Sequence, residues 1–131
     1  MDFSTLSALV EEARTSTEEV AGASFRLRRP SVDGWIAWSE ACRKDGQVDA
    51  QLLSQQYLPD CVVGWNGVTL RHFGADSDSP VDHSLQAVRL LLADNKAIET
   101  HLTRRLVHRV NEAIASLGAD AKNSSRVSAP S

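Results

Sequence analysis

The sequence predicts a mainly α protein, a compact bundle of about four to six short helices with at most a small strand or hairpin element. Two observations predict it. Apolar residues recur at helical spacing through most of the chain, above all at Ile98, Leu102, Leu106, Val110 and Ile114. No alternation of strand-like and helix-like segments suggests a βαβ unit, and no internal repeat is visible. At 131 residues, 42% hydrophobic and 24% charged, the chain has the size and composition of one ordinary globular domain. The expected division is a single helical domain over 1–117 and a disordered polar tail over 118–131.

The first expected helix covers about Ser4 to Arg14, with Leu6, Leu9, Val10 and Ala13 on one side and Glu11 and Glu12 on the other. Thr15 and Ser16 interrupt it. Ser16 followed by Glu19 fits a capping box, which predicts a second short helical turn to Val20. Phe25-Arg26-Leu27-Arg28 alternates apolar and basic residues like a half-exposed strand. Pro30 biases Arg29 towards extended backbone, and Ser31 is placed to cap a helix. That helix runs from Val32 to about Lys44, with Trp35, Ile36, Trp38, Ala41 and Cys42 in a broad stripe, and Gly46 ends it.

Asp49 to Leu58 reads as another helix, which Pro59 either ends or extends by a turn. Val62 to Leu70 is ambiguous. Asn66-Gly67 between apolar residues signals a hairpin, and the same pair could cap a helix end, the reading favoured here. Gly74 to Pro80 is a loop by composition. Asp82 or Ser84 can cap the helix carrying Leu85, Val88, Leu91 and Leu92, and Asn95 can cap the last helix, which is expected to end at Gly118.

Several kinds of chemistry find no support in the residues. His101 and His108 are two turns apart, roughly 10 Å along a helix axis, too far for one zinc ion. No Cys-x-x-Cys or His-Glu-x-x-His spacing occurs, and Cys42 and Cys61 read as reduced core thiols. No glycine-rich phosphate loop or nucleophile motif is present, so no catalytic residue, cofactor or metal is expected and the protein reads as a non-enzyme. Two basic clusters, Arg26-Arg28-Arg29 and Arg104-Arg105-His108-Arg109, read first as solvated faces. The net charge of −3 argues against a dedicated nucleic-acid binder. The acidic start and the absence of a long apolar run predict a cytosolic protein without a membrane span.

A resemblance adds to this reading. Phe25-Arg26-Leu27-Arg28-Arg29-Pro30-Ser31 is a basic extended element feeding a helix, and Cys61-Val62-Val63-Gly64-Trp65-Asn66-Gly67-Val68 is a hydrophobic Gly-Trp-x-Gly stretch. A polar loop, Pro80-Val81-Asp82, two closing helices and a polar tail follow. In this order of features the chain resembles the small tail assembly chaperones encoded just ahead of the tape measure gene in long-tailed bacteriophages. It departs from them at His83, where a larger apolar residue is expected, and in the acidic Asp76–Ser79 stretch.

The resemblance implies a binding protein of the host cell cytoplasm, absent from the mature virion. It would keep the tape measure protein soluble until tail tube protein polymerises around it, some relatives having a longer frameshifted form. Trp35, Trp38, Trp65, Ile98, Leu102, Leu106 and Arg105 are the candidate partner-binding residues, the apolar ones serving equally well as core. Two alternatives stand beside it: a structural virion component such as a tail completion or connector subunit, and a small helical DNA-binding regulator. Self-association is left open.

Overall fold

A computed structural model describes the backbone of residues 1–128 and side chains through residue 116. Its element order is α1 (Phe3–Arg14), β1 (Thr15–Val20), β2 (Ala23–Arg28), α2 (Val32–Ala41), β3 (Arg43–Lys44), β4 (Gln47–Val48), α3 (Ala50–Cys61), β5 (Val62–Asn66), a 3₁₀ turn (Leu70–Phe73), α4 (Leu85–Asp94) and α5 (Lys96–Ser128). The disordered tail expected over 118–131 falls on residues whose side chains lie outside the described ones, and 129–131 lie outside them altogether.

The expectation of a helical bundle is corrected: the fold is mixed α and β, five helices with a three-stranded antiparallel sheet of order β1-β2-β5 and a two-stranded hairpin β3-β4. Three local readings account for the error. Thr15–Val20 is a strand rather than a capped helical turn. Its threonines and valine suit a pleated ribbon, and Ala21 and Gly22, at φ 53° and 78°, supply the paired positive angles of a tight hairpin turn that sets Val20 opposite Ala23.

The helix after Ser31 stops at Ala41, short of Lys44, and Gly46 turns the β3-β4 hairpin with Asp45, both at positive φ. Val62–Asn66 is neither a local hairpin nor a helix end. It pairs antiparallel with β2, Trp65 opposite Phe25, across intervening residues that hold two helices and a hairpin. No short-range signal specifies a pairing of that separation.

The other boundaries follow the caps. Ser31, Asp49, Ser84 and Asn95 accept from the backbone N–H of Gly34, Leu52, Ala87 and Ile98 respectively. Pro59 lies inside α3, so that helix extends through Cys61.

The core lies between one face of the sheet and the helices α3, α4 and α5. Ala23, Phe25 and Leu27 alternate inward along β2, against Leu58, Cys61, Val88, Leu91 and the α5 row Ile98, Leu102, Leu106 and Val110. On β1 the inward position beside Phe25 is Glu18, buried to 8% exposure, whose carboxylate accepts from Arg105 Nε at 2.9 Å and from Ser16 Oγ at 3.0 Å. Among the described residues no helix packs flat against the opposite face of the sheet, which carries Thr17, Arg26 and Arg28; α1 leans across it and leaves a groove of about 660 Å³.

Candidate functional site

The expected partner-binding residues are built into the fold. Ile98, Leu102 and Leu106 are 0–1% exposed and fill the core, so they present no surface to a partner. Arg105 is taken up by Glu18. Trp35, Trp38 and Trp65 are half-buried against the core. Trp38 stacks on Tyr57 at 4.6 Å with an interplanar angle of 11°. Trp65 meets Phe25 edge-on at 6.2 Å and donates Nε1–H to the Val81 carbonyl at 2.8 Å. His83 stacks edge-on against Trp65 and reaches the Val62 carbonyl at 2.9 Å. The Gly64-Trp65 stretch and the Pro80-Val81 pair are therefore one structural unit, in which the indole ties the return loop to β5.

An exposed apolar stripe lies elsewhere, on α1. This helix of 12 residues has no buried residue, yet Phe3, Leu6 and Leu9 are 81%, 48% and 47% exposed. At 3.6 residues per turn they share one stripe with Val10 and Ala13. Ala8, Glu11 and Glu12 point the other way, into the groove over the sheet. The stripe is therefore turned away from the protein's own body.

Polar contacts hold the helix in place. Asp2 caps it by accepting from Thr5 N–H at 2.7 Å, and that bond holds the Asp2 carboxyl below its usual pKa. Glu11 pairs with Arg28 at 3.0 Å, and Arg109 donates to the Ala13 carbonyl at 3.2 Å. Isolated helices of about this length are marginal in water, so its order comes from these contacts and the β1 strand that continues it.

A second apolar feature is a small cleft of about 170 Å³ lined by Leu70, Phe73, Val81, Ala87 and Leu90, large enough for one side chain. Its frame is fixed by Asn95, which donates to the His72 carbonyl at 3.0 Å, and by His72, which accepts from Thr69 N–H and contacts the Ala21 carbonyl at 2.7 Å.

Among the described residues no group of three or more His, Cys, Asp or Glu side chains could hold a metal ion. Cys42 and Cys61 are buried free thiols; burial pushes the Cys61 thiol up to about 12. No described helix is long and apolar enough to cross a membrane.

The sequence displayed the α1 stripe, since the spacing of Leu6, Leu9, Val10 and Ala13 is plain. What it withheld is that, among the described residues, nothing covers it. No protein-family model matches the chain, and neither a curated protein nor a solved structure matches it.

Proposed function

We propose that the protein is a non-enzymatic tail assembly chaperone of a long-tailed bacteriophage, which holds the tape measure protein in solution in the host cytoplasm until tail tube protein replaces it. The observation that carries this reading is α1: an ordered amphipathic helix on which Phe3, Leu6 and Leu9 are exposed. A protein that shields an amphipathic helical client and later gives it up needs an apolar surface of moderate size, reachable from solution and not part of its own core. Phe3, Leu6 and Leu9 meet that description, and the buried α5 row does not.

The order of sequence features that resembles the tail assembly chaperones supports the same reading. The surface is small as well as apolar. Three large side chains on a helix about 18 Å long give well under the ~800 Å² per partner of a stable protein–protein interface. That suits a reversible contact with a helical segment better than a permanent subunit joint in a finished tail.

The test is co-expression with the tape measure protein of the same phage, against each protein expressed alone. The reading requires that the tape measure protein become soluble only together with this chain and elute with it. An insoluble client and a fixed copy number of this chain in purified particles would favour a structural tail component instead.

A further inference from the structure

Arg14, Arg29 and Arg109 converge where the C-terminal end of α1 meets α5. Arg109 Nη2 donates to the Ala13 carbonyl at 3.2 Å, next to Arg14. The Arg29 backbone N–H donates to the Arg14 carbonyl at 2.9 Å, and its guanidinium turns back to its neighbour's carbonyl, Pro30 O, at 3.0 Å. Among the described residues none of the three forms a salt bridge, although the chain has 17 acidic residues against 14 lysines and arginines. Arg109 Nε is buried with no hydrogen-bond partner. Burial, followed by the nearby charges of Arg14 and Arg109, pulls the Arg29 pKa below its ordinary value.

A helix C-terminus accounts for some of this. Its carbonyls attract cations, and a single guanidinium satisfies the Ala13 oxygen. Three guanidiniums gathered there repel one another, and a buried N–H without an acceptor is costly. The repulsion is relieved by one oxyanion, and a carboxylate accepting from the guanidinium N–H groups of the cluster is the natural ligand.

We propose that Arg14, Arg29 and Arg109 form a carboxylate-binding site that receives an Asp or Glu side chain from an amphipathic helix laid along the apolar stripe of α1. The position of the cluster carries the choice of occupant. The stripe of Phe3, Leu6, Leu9 and Val10 ends at Ala13, whose carbonyl accepts from Arg109, so the cluster lies at the end of the stripe. The overall charge of −3 favours a carboxylate-bearing protein segment over a polyphosphate, which needs a broad basic face. This inference rests on the chaperone reading and sharpens it, because the helix would be a segment of the client whose leucine stripe ends in an acidic residue.

The test uses the full chain and two labelled synthetic helical peptides, with leucines at i, i+3, i+4 and i+7. One carries a glutamate at the end of the leucine stripe and its twin carries glutamine there. Fluorescence anisotropy should show the glutamate peptide binding about tenfold or more tightly, as a charge-assisted bond predicts. Arg109→Gln and, separately, Arg29→Gln should erase that preference. Without peptide, Arg29→Gln should leave the melting temperature unchanged or raise it, since one of three like charges is gone; a merely structural arginine would lower it.

Equal binding of the two peptides, or a preference that survives both substitutions, would overturn the proposal. So would tighter binding to a short DNA duplex than to the glutamate peptide. Loss of the preference in the arginine variants with tape measure solubilisation intact would remove the client from this site while leaving the chaperone reading. A wild-type protein that prefers the glutamate peptide but never solubilises the tape measure protein would do the reverse.

Discussion

Helices α1 and α5 carry the same kind of apolar row and meet opposite fates. In α5 the row Ile98, Leu102, Leu106 and Val110 is 0–1% exposed, pressed between the sheet and the neighbouring helices. In α1 the row Phe3, Leu6 and Leu9 is about half exposed or more. Periodicity identifies which face of a helix is apolar, and it is silent on what covers that face. Here the covering is topological. Helix α5 is flanked by α3, α4 and β2, whereas α1 precedes the first strand and is held by its polar side over the exposed sheet face.

Breaking each row separately should separate stability from binding. The largest effect is expected for Leu102→Ala. It removes a fully buried side chain and should cost about 2–5 kcal/mol in denaturant unfolding, with a lowered midpoint. A loss below about 1 kcal/mol would mean that the α5 row is not the core described here.

The next effect is on alkaline stability. The Cys61 thiol is pushed up to about 12 by burial, above the ordinary value of 9.0 that it takes in the unfolded chain. The unfolded chain therefore releases this proton first, and stability should fall as pH rises above about 9 and continue falling until the folded thiol ionises near 12. Cys61→Ala should flatten that part of the pH profile, and native Cys61 should resist alkylation at mildly alkaline pH until the protein is unfolded.

A smaller loss is expected at the sheet-facing ion pair. Glu18→Gln keeps the shape but removes the charge opposite Arg105, which is itself 37% exposed and can turn to solvent. The expected cost is about 1–2 kcal/mol in the unfolding midpoint. Arg105→Ala should cost at least as much, since it leaves Glu18 buried and alone.

Much of the fold was legible because its signals are local. The caps at Ser31, Asp49, Ser84 and Asn95, the β2 alternation and the α5 row all depend on residues within a few positions of each other. The sheet was not legible. β5 joins β2 only after α2, the β3-β4 hairpin and α3 have intervened, and Asn66-Gly67 imitates a hairpin turn without making one. Thr15–Val20 was hidden because Ser16 and Glu19 imitate a capping box. Its register with β2 is set by Ala21 and Gly22, whose left-handed pair reads as an ordinary small-residue break.

The candidate surface was half legible. The tryptophans drew attention by their size, yet Trp65 spends its N–H on Val81 and Trp38 its face on Tyr57. The first helix leaves Phe3, Leu6 and Leu9 exposed, joined at one end by three arginines that lie far apart in sequence.

The most direct measurement is the paired effect of Leu6→Ser with Leu9→Ser on unfolding and on tape measure solubility in co-expression. The expected result is a stability change within about 0.5 kcal/mol, as for surface positions, together with loss of soluble client. A marked drop in stability, or a client that stays soluble with the altered helix, would contradict it.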